Sequence, residues 1–184
     1  MKHLSRRGFA LGVAATSLAA CGNGIGSGGA ATIDARVDTT LDAMYQAYPG
    51  TRDLATRAAG VLVMPLVTEV GLGLGGSFGR GALRVGPSTV DYYTAVAGSA
   101  GLQIGAQQFS HVLFFMTPEA LQQFRSSPGW AAGADIEYAF SNQSEMLRAE
   151  TTTSLSPVIA VVFGQTGLRV GATLEGTKYT RIIP

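Results

Sequence analysis

Residues 99–116 read SAGLQIGAQQFSHVLFFM, a long apolar stretch without proline. Apart from Gln108 and Ser110, its even positions are apolar or small, which is the two-residue period of a β-strand. From Phe109 onward the odd positions turn apolar as well, so the second half indicates a central strand with both faces buried. These 18 residues in one extended strand would span roughly 60 Å, which is too long for one small domain. We therefore expect a bend or β-bulge near residues 107–110.

Helical patterns stand on both sides of this stretch. Apolar residues of 33–48 recur at helical spacing until Pro49-Gly50, which predicts an amphipathic N-terminal helix, and a second short helix is expected at 52–59. Thr117 is suited to the N-cap of an internal helix and Pro118 to its first position. The sequence therefore predicts one internal helix at about 118–125.

Three aspartates, Asp34, Asp38 and Asp42, follow one another at four-residue intervals along the N-terminal helix. Like charges at this spacing repel one another, and they supply no loop of oxygen ligands for a cation. The pattern favours a solvated helix edge over a metal site.

Glycine alternates with apolar residues in three copies of one pattern: GLGLGG at 71–76, GLQIGA at 101–106 and GLRVGA at 167–172. Glycine weakens a strand, so its repetition indicates sharp bends or a second layer packed close against the backbone. Further strands are expected at 61–65, 89–97, 134–140, 157–164, 168–174 and 178–183, the last three as an antiparallel meander. The predicted fold is α+β, with a strongly curved, mainly antiparallel sheet or partial barrel.

The first 20 residues have the organisation of an export signal. Lys2, Arg6 and Arg7 precede an uncharged run, and the two arginines resemble those of a Tat signal. Leu18-Ala19-Ala20-Cys21 resembles a lipobox, in which the cysteine is acylated and becomes the mature N-terminus. Cys21 is the only cysteine, so no intrachain disulfide is possible. We expect Cys21 to carry acyl groups such as palmitate, and an ordinary signal peptide is the alternative.

The expected organisation is a signal peptide at 1–20, an acylated cysteine with a glycine-rich tether at 21–32, and one domain at 33–184. Removing the first 20 residues takes away three basic residues and no acidic ones, which changes the formal charge from +1 to −2. Net charge therefore gives no reason to expect nucleic-acid binding, and attraction to an anionic membrane requires a local basic cluster.

Two motifs, one for cofactor binding and one for catalysis, match by residue spacing. Gly71, Gly73 and Gly76 fit a dinucleotide fingerprint, but no helical pattern follows them to hold a pyrophosphate. Gly75-x-Ser77-x-Gly79 resembles the nucleophile elbow of esterases, and Asp91 and His111 follow in the order of that fold. The elbow also requires a helix after the serine, and His111 lies in the most apolar part of the chain, where a core histidine is the usual explanation. We expect no enzyme and no cofactor, with a serine esterase as a distant alternative.

Metal binding is not expected either, since one histidine remains after residue 20 and the one cysteine is the predicted acylation site.

The segments GVLVMP (60–65), GLGLGGSFGRGALR (71–84), GLQIGAQQFSHVLFFMTPEALQQF (101–124), PGWAAGADIEYA (128–139) and PVIAVVFGQTGLRVGATLEGTKY (157–179) resemble the SYLF domain. The resemblance covers about residues 33–184. It implies binding of phosphoinositides and other anionic lipids; eukaryotic members are also linked to actin. The bacterial branch consists of exported proteins, often lipoproteins. Since export takes the chain away from the cytoplasm, actin is not an expected cellular partner.

The residues themselves suggest where a lipid headgroup would bind. Arg80 stands between two glycines, Arg169 lies within the third glycine repeat, and Lys178 follows shortly after it. A guanidinium pairs with a phosphate through two parallel hydrogen bonds, and glycines allow the backbone to approach closely. We expect these three residues to bind an anionic phospholipid, with solvated strand-end charges as the alternative for each.

The sequence thus predicts a membrane-anchored lipoprotein that binds anionic phospholipid or phosphoinositide-like headgroups, on the periplasmic side of the outer membrane. A structural or protein-interaction lipoprotein of the cell envelope is the alternative function.

Overall fold

The computed structural model describes residues 28–133, 136–139, 156–167 and 174–184, and its fold is α+β, as the sequence predicts. Three helices lie in this part of the chain: α1 (Gly29–Ala47), α2 (Thr51–Arg57) and α3 (Pro118–Ser126). Its six strands are β1 (Gly60–Val85), β2 (Ser88–Phe115), β3 (Trp130–Ala131), β4 (Glu137–Ala139), β5 (Val158–Gly167) and β6 (Lys178–Ile182). None of these helices combines the length and the apolarity needed to cross a bilayer.

The centre of the fold is the antiparallel hairpin of β1 and β2, which are 26 and 28 residues long and turn at Gly86-Pro87. The expected bend near residue 108 is confirmed. The pairing of β1 with β2 shifts register between Met64 and Val67 of β1. The pairing of β2 with β5 shifts register between Gln108 and Ser110 of β2. At this irregularity the Ser110 hydroxyl donates to the Pro65 carbonyl, 2.7 Å away. Proline has no N–H for the ladder, so the shift falls where the pairing is weakest.

The first two glycine repeats pair with each other inside this hairpin. Gly71 pairs with Gly105, and a further register shift follows between Leu72 and Leu74. The strand irregularity expected of these repeats is therefore present. The third repeat leaves the described residues after Gly167.

The sheet has the order β3-β6-β2-β5-β4, with β1 along the other side of β2. The long strand β2 pairs with β6 at Tyr92–Val96 and with β5 at Gln107–Phe115. All pairings are antiparallel except that of β4 with β5. The expected meander is therefore wrong for β5 and β6, since each of them pairs with a different half of β2. Its middle strand, 168–174, lies outside the described residues except for Leu174.

Side chains on the two faces of the curled sheet form two cores. On the concave face, Phe124 of α3 packs against Tyr93 and Phe115, each with ring centroids 4.7 Å apart. Tyr93 and Phe115 come from opposite halves of β2, so the sheet must curl to bring both onto one helix. On the convex face, α1 covers the alternate residues of β1 and β2, including Val63 and Phe114.

Two glycines of β1 show how tightly the sheet is curled. A Cβ atom at Gly79 would lie 2.7 Å from Val67 Cγ2 and 2.9 Å from the Leu66 carbonyl oxygen. At Gly81 it would overlap the Val63 carbonyl oxygen and lie 2.5 Å from Met64 Sδ. The two halves of β1 therefore pack directly on each other at these two glycines, which follow the repeat at 71–76.

The helix boundaries follow from local chemistry. The Thr117 hydroxyl accepts a hydrogen bond from the Ala120 N–H at 3.2 Å, and Pro118 is the first helical residue, which confirms the predicted start of α3. Helix α1 begins at Gly29, four residues before the apolar periodicity starts, and Gly28 precedes it with φ of 75°. Ala30 and Ala31 lack large apolar side chains, but alanine favours a helix, so the helix extends past its amphipathic part.

Candidate functional site

Arg80 and Lys178 lie on the convex face of the sheet. Arg80 pairs with Thr94 and Lys178 with Val96, and even-numbered positions of β2 share this face. The two basic residues are thus separated by one intervening strand, and both are exposed. The alkyl stem of Lys178 lies against Gly129, where a Cβ would meet Lys178 Cε and come within 3.2 Å of Nζ. Arg169 lies outside the described residues, so its predicted place beside them stays a prediction.

Large apolar side chains accompany these two cations. Leu74 is 78% exposed, Phe78 51% and Val96 48%. Phe78 and Val96 are direct partners across β1 and β2, and the Arg80 guanidinium carbon lies 5.8 Å from the centre of the Phe78 ring. Helix α1 covers only the adjoining end of this face, where Ala82 is fully buried. We call the five residues the convex patch: Leu74, Phe78, Arg80, Val96 and Lys178.

The convex patch is only partly predictable from the sequence. The position of Arg80 between two glycines marked it as a candidate in the sequence. Phe78 and Val96 were not predicted, because they occur in segments that resemble ordinary strands. The alternation of Leu74, Gly76, Phe78 and Arg80 is the signal that could have found them, since it assigns all four to one face. Only the position of α1 shows which part of that face stays exposed among the described residues.

The three residues of the esterase motif are not brought together. Ser77 lies inside β1, which continues to Val85 without the helix that a nucleophile elbow requires. Asp91 accepts hydrogen bonds from Arg125 at 2.9 Å and Arg181 at 3.4 Å. The ring of His111 is bonded through Nε2 to the Tyr179 hydroxyl, 2.8 Å away. No hydrogen bond among the described residues links Ser77, Asp91 and His111 to one another.

His111 is a core histidine, as its apolar sequence context indicates. Its side chain is fully buried between Phe109 and Tyr179, and burial lowers the pKa of the ring to about 3. Its Nδ1 atom has no hydrogen-bond partner within the described part of the chain. The neutral ring is therefore part of the concave core.

The aspartates of α1 are not simply a solvated edge. Asp34 accepts hydrogen bonds from Thr89 at 2.7 Å and from the Tyr92 hydroxyl at 2.8 Å, and Asp38 pairs with Arg84 at 2.6 Å. These contacts fasten α1 to the tip of the β1–β2 hairpin. Asp42 remains exposed. Over the residues described, no group of three or more His, Cys, Asp or Glu side chains is arranged to hold a metal ion.

The geometry defines a curled α+β domain with a cationic, apolar patch on its convex face. Comparison with known families finds a match: residues 96–181 match the family model described as Ysc84, Las17-binding protein actin regulator. Over this segment the chain is similar to the Ysc84 (SYLF) family, which is associated with lipid binding and with actin. No curated protein matches the chain. The matched segment includes Val96 and Lys178 of the convex patch, whereas Arg80 precedes it.

Proposed function

We propose that this protein is a membrane-anchored bacterial lipoprotein whose SYLF domain binds anionic phospholipid or phosphoinositide-like headgroups through the convex patch, without enzymatic activity. The observation that carries the proposal is the juxtaposition of exposed Phe78 and Val96 with Arg80 and Lys178. A lipid surface offers both matching chemistries, an anionic headgroup layer and an apolar interior beneath it.

The charges and the apolar side chains act at different distances. A basic residue near an anionic membrane contributes about 1 kcal/mol of attraction, and that attraction falls off within the Debye length of about 8 to 10 Å. The apolar side chains then contribute by leaving water, at roughly 25 cal/mol per Å². Because the chain after residue 20 has a formal charge of −2, the local patch and not net charge must provide the attraction.

Vesicle sedimentation tests this proposal with the polypeptide from residue 21 onward carrying Cys21→Ser. We expect it to bind phosphatidylcholine vesicles that contain phosphatidylserine more tightly than pure phosphatidylcholine. Arg80→Glu combined with Lys178→Glu reverses both cations, so binding should weaken by at least tenfold at low salt and by less at high salt. Arg169→Glu tests the third predicted residue in the same assay.

The matched control is Arg36→Glu, a charge reversal at an exposed position of α1. It changes the net charge in the same direction without touching the convex patch. Equal binding by the Arg80→Glu, Lys178→Glu variant and by the Arg36→Glu variant would refute the patch as the lipid-binding surface.

Anchoring through Cys21 is proposed on the lipobox sequence. Metabolic labelling with an alkyne analogue of palmitate is expected to mark the wild-type chain and to leave Cys21→Ser unlabelled. Two or more acyl chains give stable anchoring where a single chain is marginal. Gly22 rather than aspartate follows the cysteine. By analogy with the sorting of enteric lipoproteins, we propose that the protein resides on the periplasmic side of the outer membrane. Label retained by Cys21→Ser would contradict the anchor.

The family description, which names a Las17-binding actin regulator, favours one second candidate: a non-catalytic lipoprotein that binds another envelope protein. The same apolar residues would then contact protein. Absence of vesicle binding by the wild-type domain at any salt concentration would favour this alternative.

A further inference from the structure

A groove runs between α3 and β6 on the opposite side of the sheet from the convex patch. It has a volume of about 570 Å³, and its apolar lining includes Ala59, Pro118 and Leu121. Arg125 of α3 and Arg181 of β6 also line it. Arg181 pairs with Tyr93, an odd-numbered position of β2, which places it on the concave face.

The two arginines share a single acidic partner. The Asp91 carboxylate, only 11% exposed, accepts hydrogen bonds from Arg125 Nε at 2.9 Å and from one Nη of Arg181 at 3.4 Å. The side chains of Arg125 and Arg181 remain 42% and 59% exposed. Two guanidinium groups against one carboxylate leave an excess positive charge at the wall of an apolar groove, and each keeps further N–H donors beyond those bound to Asp91.

A buried hydroxyl lies close to the same charges. Tyr93 is 2% exposed, and its hydroxyl has no hydrogen-bond partner among the residues described. Burial and then the neighbouring Asp91 raise its pKa to about 12, while Arg181 and Arg125 lower it by less. Tyr93 therefore keeps its proton at physiological pH, but its side chain belongs to the concave core and does not line the groove.

We propose that this groove binds a single-chain anionic amphiphile, with its carboxylate or phosphate monoester on Arg125 and Arg181 and its hydrocarbon chain along Leu121, Pro118 and Ala59. The groove is shallow and open to solvent, so a bound chain would stay partly exposed; its lining pairs apolar residues with two convergent cations, a combination that is typical of small-molecule sites. This site is distinct from the proposed membrane contact, because it takes a monomeric ligand on the other face of the sheet.

Isothermal titration calorimetry on the full-length chain carrying Cys21→Ser tests the proposal. The probes are dodecanoate and dodecyl phosphate below their critical micelle concentrations, and their comparison distinguishes a fatty-acid source from a phosphate-ester source. Acetate and inorganic phosphate supply the charge alone, and dodecyl maltoside supplies the chain without charge. We expect at least one amphiphile to bind about tenfold or more tightly than each of these three compounds.

Arg125→Gln combined with Arg181→Gln removes the two cations and should weaken binding by about tenfold or more. The matched control Arg36→Gln removes an exposed arginine from α1 and should leave binding unchanged. Unchanged affinity in the double variant, or acetate or phosphate binding as tightly as the amphiphiles, overturns the proposal.

The double variant leaves Asp91 without its partners, and that loss can destabilise the fold. Gln122→Trp provides an independent variant, because Gln122 is an exposed residue that lines the groove, and the larger side chain fills the space without removing an ion pair. We expect this folded variant to lose amphiphile binding. Wild-type affinity in Gln122→Trp, with an unchanged thermal midpoint, overturns the proposal even if the double variant does not fold.

Discussion

His111 couples the stability of the domain to pH. In the folded protein, burial lowers the pKa of its ring to about 3, whereas an unfolded histidine titrates near 6.5. The unfolded state therefore binds a proton in a pH range where the folded state does not. As a result, the contribution of His111 is fully present above about pH 6.5 and is lost progressively as the pH falls towards 3.

We expect the free energy of unfolding to decrease from pH 6.5 to pH 5 by up to about 1.4 kcal/mol per pH unit from this residue. Denaturant unfolding at pH 7.5, 6.5 and 5.5 measures the slope. His111 is the only histidine after residue 20, so the polypeptide from residue 21 onward with Cys21→Ser isolates it. His111→Gln retains a partner for Tyr179 and should flatten the slope; an equal slope in this variant would assign the effect to other groups.

At the scale of elements, the curl of β1 depends on two positions without a side chain. At Gly81 the atom that a Cβ would overlap is the Val63 carbonyl oxygen, which belongs to the backbone and cannot rotate away. Gly81→Ala should therefore destabilise the fold by about 1 to 3 kcal/mol or more through overpacking. Equilibrium unfolding in urea measures the change.

Gly98 is the matched control, since it lies in the same hairpin and a Cβ there meets no heavy atom within 4 Å. Gly98→Ala should leave stability unchanged or raise it by about 0.5 to 1 kcal/mol, because alanine restricts the unfolded chain. If the two substitutions had the same effect, the close packing of the two halves of β1 would not be what excludes a side chain at Gly81.

Local signals predicted the elements well because they act over a few residues. Thr117-Pro118 fixed the start of α3, and the two-residue period of 99–116, with its expected bend, proved correct in β2. The meander failed because strand pairing depends on distant residues. No local pattern reveals that one strand is long enough to pair with β6 at one end and β5 at the other.

At the scale of the whole molecule, the candidate sites depend on register more than on motifs. The arginine at 80 was recognisable in the sequence, but its neighbours Val96 and Lys178 come from strands 16 and 98 residues further along the chain. Arg125 and Arg181 likewise come from distant elements and meet on Asp91. The sequence motif grouped Asp91 with Ser77 and His111. In the fold, Asp91 binds Arg125 and Arg181 and His111 binds Tyr179, and no hydrogen bond among the described residues joins the three residues of the motif.

The proposed membrane contact through the convex patch also sets the orientation of the domain. If the convex patch contacts lipid, residue 78 enters an apolar environment while the concave side does not. Phe78→Trp in a Trp130→Phe background places the only tryptophan on the patch, since the chain has a single tryptophan. We expect its fluorescence to shift to shorter wavelength on vesicles containing phosphatidylserine, and the shift should diminish as salt weakens the attraction of Arg80 and Lys178.

The wild-type chain is the control for this measurement, because Trp130 packs on the concave side against Phe124, with ring centroids 5.4 Å apart. Its emission should change little when the same vesicles are added, since a membrane on the convex face leaves that core in place. The opposite result, a shift for Trp130 and none for Phe78→Trp, would place the membrane on the concave side and would transfer lipid recognition from Arg80 and Lys178 to the groove of Arg125 and Arg181.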